Sequence, residues 1–207
     1  DAEGRSFGAS SPYYDGESLL ALVKAAKYMG YQELQPIVIK AADIGYNRNI
    51  QEALQVDPDS RITKGYYQWG SMAFFELATA GWPNVEKYGD YVISLADWMI
   101  DIHKTLWRKR NTAYAYEGII HAYQLSVLGG HDQYMKKFAC VIDAGLMKLT
   151  SWQVGSPMAN WFIRRHPTQN PYAIGGIQNH VFEPLLRIDV TQHQMHAVIL
   201  ARRYVYN

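Results

Sequence analysis

The chain repeats one apolar pattern three times, and this repetition constrains the fold more than any other feature of the sequence. Apolar runs open at the aligned positions Glu17, Gly70 and Glu117. Each run ends near a glycine, a common helix stop, namely Gly30, Gly81 and Gly129 or Gly130. A second amphipathic run follows each glycine, with an aspartate 26, 27 or 26 residues beyond the aligned start, at Asp43, Asp97 and Asp143. The repeated unit is therefore a helical hairpin: helix, glycine turn, helix.

The hairpin repeats after 53 and then 47 residues, which predicts an all-α fold with about seven main helices. The spacing predicts first helices at 15–29, 66–80 and 112–128, and second helices at 32–47, 84–105 and 132–149. A fourth first helix begins near Ile188 and has no partner. The segment 48–64 reads as a polar connector. The segment 151–186 breaks the period with prolines and glycines, so we expect a long ordered loop or lid there.

Charge and length limit the classes of partner and the number of domains. With 20 basic and 19 acidic residues, the net charge of +1 is too even for a nucleic-acid binder or a membrane-surface protein. No apolar stretch approaches the roughly 18 residues of a membrane span, so we expect a soluble chain. Residues 1–207 are enough for one sizeable core, which predicts a single domain.

Periplasmic or extracellular location is favoured over the cytoplasm, although the sequence leaves the compartment open. The single Cys140 excludes an internal disulfide and reads as a buried, inert thiol.

The first helices are the more apolar ones, so we expect them on the inside of a ring or arc of hairpins, running roughly parallel. Their N-termini would then meet at one rim, where unpaired backbone N–H groups and aromatic rings favour a hydroxylated or anionic ligand such as a sugar. The residues predicted at this rim are Tyr13, Tyr14, Asp15, Glu17, Tyr67, Gln68, Trp69, Asn111, Tyr116, Glu117, Arg187, Asp189, Gln192 and His193. The alternative for Asp15, Thr112 and Asp189 is helix capping alone.

Two kinds of chemistry are open to such a rim. The carboxylates offer the acid and base pair of glycoside hydrolysis, and the predicted catalytic residues are Asp15, Glu17, Glu117, Asp189 and His193. A base beside a uronate carboxylate would instead give lyase or epimerase chemistry, with His193, Tyr67, Tyr116, Asn111 and Arg187 as candidates. The remaining predicted substrate-binding residues are Tyr13, Tyr14, Gln68, Trp69 and Gln192.

A metal site is not predicted. His193 and His196 are spaced i, i+3 on one helix, but no Glu-x-x-His motif or cysteine cluster supports them as metal ligands. The sequence also lacks a phosphate-binding glycine loop and a nucleophile elbow. We therefore expect no metal and no cofactor.

The motifs Tyr13-Tyr-Asp-Gly-Glu-Ser-Leu-Leu-Ala-Leu22 and Arg187-Ile-Asp-Val-Thr-Gln-His193, with the hairpin period of about 50 residues, resemble the six-hairpin (α/α) toroid proteins. That superfamily includes glycosidases, polysaccharide lyases and uronate epimerases. The resemblance implies an oligo- or polysaccharide partner and an enzyme of glycoside hydrolase type. The run Arg164-Arg-His166 in the long loop reads as a solvent-exposed charge run, and the alternative is that it holds an acidic saccharide. The alternatives are a uronate lyase or epimerase, and a non-catalytic helical-repeat domain that binds saccharide or protein. No catalytic residue carries over, because the aspartate pair and the lyase residue set of the family are not recognisable.

A closed toroid needs six hairpins, and this chain supplies about three and a half. We therefore expect the C-terminal part of a larger toroid, in which residues 3–11 are a connector and an N-terminal portion carries part of the site. The alternative is an open arc of hairpins that another subunit completes.

Overall fold

The computed structural model of the chain describes residues 10–206, and within them the fold is all-helical, as predicted. The α-helices are α1 (Pro12–Tyr28), α2 (Gln35–Tyr46), α3 (Ala53–Val56), α4 (Arg61–Ala78), α5 (Lys87–Asp101), α6 (Ala113–Gly129), α7 (Asp132–Ser151), α8 (Trp161–Arg165) and α9 (Ile188–Tyr204). Short 3₁₀ turns lie at Gln32–Leu34, Thr105–Trp107 and Pro171–Ala173. No helix in the described range is both long and apolar enough to cross a membrane. Most of the predicted connector 3–11 lies outside the described residues.

The chain divides into two compact units at Glu86 and Lys87. Unit 1 contains α1 to α4, and unit 2 contains α5 to α9. The second predicted hairpin is divided between them, since α4 ends unit 1 and α5 begins unit 2. The complete toroid stays a prediction, and each unit is described by itself.

In unit 1, the first helices α1 and α4 pack side by side and run parallel. Near their beginnings, a Cβ added to Gly16 would lie 3.0 Å from the backbone nitrogen of Gly70, so the two backbones approach closely. Near their ends, Lys27 Nζ donates to Glu76 Oε2 at 2.8 Å and to the Glu76 carbonyl at 2.9 Å. Because early residues meet early residues and late meet late, the two helices point in the same direction.

The predicted glycine stops end the first helices. Gly30, Gly81 and Gly130 follow α1, α4 and α6 with φ of +85°, +70° and +70°. A residue with a Cβ rarely adopts this left-handed conformation, so glycine ends the helix and turns the chain.

The predicted polar connector 48–64 is wrong, because most of it is helical. A π-helical turn, Asn47–Glu52, continues α2 directly into α3. Helix α4 then begins at Arg61 instead of 66, because the Ser60 side chain accepts hydrogen bonds from the backbone N–H of Ile62 (3.2 Å) and Thr63 (3.5 Å). Such a cap satisfies N–H groups that the helix itself leaves unpaired.

In both units a fully buried tyrosine ring from a first helix packs against a glycine of a second helix. Tyr66 of α4 lies against Gly45 of α2, and Tyr116 of α6 lies against Gly145 of α7. Each glycine follows a repeated aspartate, Asp43 or Asp143, by two positions. The glycine supplies the space that the ring occupies, so this contact sets how closely the helices approach.

In unit 2, α6 forms the centre of the core and contacts α5, α7 and α9. Its side chains Ile119 and Ile120 are fully buried. Cys140 of α7 is exposed, so the predicted buried thiol is wrong. Helix α7 is amphipathic, and Cys140 falls on its outer face between the buried Phe138 and Val141.

The segment 151–186 contains little regular structure but is held by hydrogen bonds. Val154 N donates to the Gly176 carbonyl and Gly175 N to the Val154 carbonyl, both at 2.9 Å. The fully buried Gln178 accepts a bond from Asn160 Nδ2 at 2.8 Å. These bonds connect distant parts of the segment, while its role as a lid stays a prediction.

Candidate functional site

In unit 1, the structure brings together the aromatic side chains predicted at the starts of α1 and α4. The Tyr13 ring meets the Tyr14 ring edge-on at 5.6 Å between centroids and the Trp69 ring edge-on at 5.8 Å. Tyr13 is 42% exposed and Tyr14 is 65% exposed. The three rings therefore form a partly exposed aromatic cluster, which we call the Tyr13 cluster.

Two other predicted aromatic or amide positions of unit 1 are not open to a ligand. Tyr67 is fully buried and Gln68 is nearly so. They lie on the face of α4 that packs into the core, next to Tyr66.

The two carboxylates of α1 have different surroundings. Asp15 lies in the first turn, and its Oδ2 accepts hydrogen bonds from Ser10 Oγ at 2.9 Å and Asn49 Nδ2 at 3.3 Å. It is therefore not an N-cap, since Ser11 occupies that position. Glu17 is exposed. Residues two apart on a helix do not face each other, so these two carboxylates do not form a pair.

In unit 2, two of the predicted rim residues have structural roles. Asn111 Oδ1 accepts a bond from Ala113 N at 2.9 Å and so caps the start of α6. Thr112 occupies the N-cap position without making that bond through its side chain. Tyr116 is fully buried, and burial raises the pKa of its hydroxyl to about 12.

At the start of α9, Arg187 and Asp189 form a bidentate ion pair. Arg187 Nε and one terminal nitrogen of its guanidinium lie 3.0 and 2.7 Å from the two carboxylate oxygens of Asp189. Both side chains are about half exposed, and Gln192 is exposed one turn further on. The Asp189 carboxylate is therefore a partner of Arg187 at the helix start and not a side-chain cap.

The centre of the predicted rim of unit 2 is a carboxylate held between two histidines, which we call the Glu117 cluster. His193 Nδ1 lies 3.4 Å from both Glu117 oxygens, and His196 Nδ1 lies 2.6 Å from Oε1. The side chains of Glu117, His193 and His196 are 1%, 8% and 38% exposed. Helices α6 and α9 place them there because they pack together with their starts on the same side.

The protonation of this cluster follows from its contacts. Burial alone would raise the pKa of the Glu117 carboxyl, but hydrogen bonds from His193 and His196 and the charges of their rings outweigh burial and hold the pKa below its usual range. An ionised carboxylate only accepts hydrogen bonds, so the hydrogen of each imidazole lies on Nδ1. In the neutral ring Nε2 then carries a lone pair and is a base.

Among residues 10–206, no group of three or more His, Cys, Asp or Glu side chains is arranged to hold a metal ion. In the Glu117 cluster both Nδ1 atoms point at the carboxylate, which gives histidine–carboxylate hydrogen bonds instead of a coordination sphere. This arrangement fixes the tautomer and orientation of each ring.

Glu117 and His193 are predicted site residues, but two features of these sites are not predicted from the sequence. His196 appears there only as a possible metal ligand, although it makes the shortest bond to Glu117. Its position three residues after His193 placed it on the same helix face, which was a usable signal. Arg48 and Tyr66, which line a cleft with Asp15, lay in or near the supposed connector.

In comparisons with known proteins, no family model, curated protein or solved structure gave a significant match to the chain. The candidate function therefore rests on the residues and their geometry.

Proposed function

We propose that the protein acts on an acidic polysaccharide and that the Glu117 cluster transfers a proton. The observation that carries this proposal is the buried Glu117 carboxylate within hydrogen-bonding distance of two imidazoles, of which His196 is 38% exposed. This geometry favours uronate lyase or epimerase chemistry over glycoside hydrolysis.

Hydrolysis needs a protonated carboxyl group that reaches the glycosidic oxygen. Glu117 is 1% exposed, and its lowered pKa keeps it ionised at neutral pH, so it does not suit that role. Asp189 is committed to Arg187. A hydrolase would therefore depend on Asp15 or Glu17 as its acid, which makes hydrolysis the second proposal.

The proposed reaction begins when His196 Nε2 removes the proton from the ring carbon next to the uronate carboxylate. The electron pair of that C–H bond moves toward the carboxylate, giving an enolate. The bond to the glycosidic oxygen on the next carbon then breaks as a carbon–carbon double bond forms, and the imidazolium returns the proton to the leaving oxygen. One exposed histidine is enough for this elimination, whereas epimerisation needs a second acid on the opposite face. Because His193 is only 8% exposed, the lyase is favoured.

In this reaction Glu117 is a positioning residue. It does not touch the substrate, but it fixes the His196 tautomer that leaves Nε2 as a base and stabilises the imidazolium that forms. The Tyr13 cluster supports a saccharide partner, because partly exposed aromatic faces pack against the C–H face of a pyranose ring.

The test is an activity assay on uronate-containing and neutral polysaccharides. Unsaturated uronate is followed by its ultraviolet absorbance, and new reducing ends are measured in parallel. We expect both signals on a polyuronate and neither on a neutral glucan. The substitution His196→Gln should lower the rate by about a hundredfold or more, the usual contribution of a general base.

His131→Gln is the matched control, since His131 is an exposed histidine of the same unit outside the cluster. It should leave the rate unchanged. Glu117→Gln should lower the rate and shift its pH profile, and Glu117→Asp should restore part of it. Reducing ends without unsaturated product would instead indicate hydrolysis, and saccharide binding without turnover would indicate a binding domain. Either result contradicts the lyase proposal.

A further inference from the structure

Unit 1 contains a cleft of about 380 Å³ between α1, α2 and the start of α4, which we call the α1–α2 cleft. Its polar lining includes Asp15 of α1, Arg48 and Asn49 of the π-helical turn, and Tyr66 of α4. Tyr14 also lines the cleft. This volume falls within the range of small-molecule sites.

Tyr66 provides the strongest sign that the cleft takes a ligand. The residue is 1% exposed, and its hydroxyl has no hydrogen-bond partner within residues 10–206. A Cβ added to Gly45, which also lines the cleft, would overlap the Tyr66 hydroxyl, so the hydroxyl lies at that wall. A buried hydroxyl without a partner has lost the hydrogen bonds it would make with water, which is unfavourable. A hydroxyl group of a bound ligand would supply the missing bond.

Asp15 and Asn49 form the second polar wall. Asn49 is 5% exposed and donates to Asp15 Oδ2, as does Ser10. Within the described chain, Oδ1 of Asp15 accepts no hydrogen bond, so it is open to a donor. An ionised carboxylate accepts from hydroxyl groups, which a sugar ring supplies in number.

Arg48 provides a positive charge in the same cleft. Its side chain is exposed and has no ion-pair partner in the part of the chain that the structure describes. It does not pair with Asp15 across the cleft. A guanidinium binds a carboxylate through two parallel hydrogen bonds, so the cleft combines an anion-binding side with a hydroxyl-binding side. The π-helical turn that carries Arg48 and Asn49 is a conformation often found at functional sites.

We propose that the α1–α2 cleft binds one uronate residue, with its carboxylate on Arg48, its hydroxyl groups on Asp15 and Tyr66, and a face of its ring against Tyr14. The identity of this ligand rests on the proposed function, which requires an acidic saccharide. A neutral sugar would leave Arg48 without a partner, and a zwitterionic amino acid would place an ammonium group on Asp15 and leave Tyr66 unpaired.

Binding is tested by calorimetric titration of the 207-residue chain with D-glucuronate, D-glucose and L-serine. We expect glucuronate to bind at least about tenfold more tightly than glucose or serine. Arg48→Gln should weaken glucuronate binding about tenfold or more, and Tyr66→Phe about fivefold to tenfold, since each removes bonds that the ligand makes. Lys40→Gln is the matched control, because Lys40 is an exposed cation of α2 that does not line the cleft.

The outcomes separate this proposal from the lyase proposal. Any of three outcomes overturns the uronate site: glucuronate does not bind, serine binds more tightly, or Arg48→Gln and Tyr66→Phe leave glucuronate binding unchanged. Binding with the expected variant effects and no turnover of any polyuronate supports the cleft and counts against the Glu117 cluster as a catalyst. A third outcome is turnover that is lost in His196→Gln and unaffected by Arg48→Gln, with no glucuronate bound. It supports the Glu117 cluster as a catalyst and overturns the uronate site in the cleft.

Discussion

The contact between Tyr116 and Gly145 predicts a large loss of stability for Gly145→Ala. A Cβ at position 145 would lie 2.5 Å from the Tyr116 hydroxyl and closer still to two ring carbons, whereas real Cβ atoms essentially never approach within 3.0 Å. The Tyr116 ring is fully buried, so it has no free space into which it could move away from the added methyl group. Overpacking of this kind costs about 1 to 3 kcal/mol. We expect about 3 kcal/mol, reduced by up to about 1 kcal/mol because alanine is a better helix former than glycine.

The assay is urea unfolding followed by circular dichroism. A net loss of about 2 kcal/mol lowers the midpoint by about 1 M at a typical dependence of about 2 kcal/mol per molar urea. Gly65→Ala is the control, since its Cβ would make an ordinary 3.4 Å contact with Pro12 and should be neutral or stabilising by up to about 1 kcal/mol. In the double variant with Tyr116→Ala the overlap is gone, so the two losses should not add. A Gly145→Ala protein within about 0.5 kcal/mol of the wild type, or strictly additive losses, would refute the reasoning.

Three further predictions concern stability. Tyr66→Phe should leave the unfolding free energy unchanged or raise it by about 1 kcal/mol, because the lost hydroxyl has no partner within the described residues; a clear loss in urea unfolding would contradict this. The pKa of the Glu117 carboxyl lies below its ordinary value of 4.5 in the folded protein. Its ionised form therefore adds to the free energy of unfolding above pH 4.5, and this stabilisation is lost as the pH falls through the folded pKa. The stability difference between wild type and Glu117→Gln should therefore shrink on acidification, and a difference that grows would reverse the sign of the argument. Ser60→Ala should cost about 1 kcal/mol in thermal or urea unfolding, as loss of a helix cap does, and no change would remove Ser60 from that role.

The helices were predictable because their signals are local. The apolar period and the glycines at Gly30, Gly81 and Gly130 are properties of neighbouring residues, and in the structure a helix ends one to three residues before each of them. The beginning of α4 is not predictable in this way, because the segment before it is polar and polarity is also typical of a connector. Ser60 is also polar, but it acts as a cap and starts the helix five residues early.

The candidate sites were predictable only where two helices share a direction. Expecting neighbouring first helices to run parallel placed Glu117 near His193, and in the structure His193 Nδ1 lies 3.4 Å from the Glu117 carboxylate. The same reasoning gave no information about which side of each helix a residue occupies. Tyr67 and Tyr116 lie near helix starts, yet both point into the core, because burial depends on the neighbours that each helix meets. The unpaired Tyr66 hydroxyl depends on Gly45 of another helix, a contact that local sequence does not reveal.

The proposed elimination requires that His196 remove a proton from the carbon next to a uronate carboxylate. A polyuronate that carries deuterium at that carbon reports this step, because transfer of deuterium to water can be followed with nuclear magnetic resonance. We expect the wild type to release deuterium at the rate at which unsaturated product forms, and His196→Gln to release little. Cleavage of the polysaccharide with the deuterium retained in the product would contradict it.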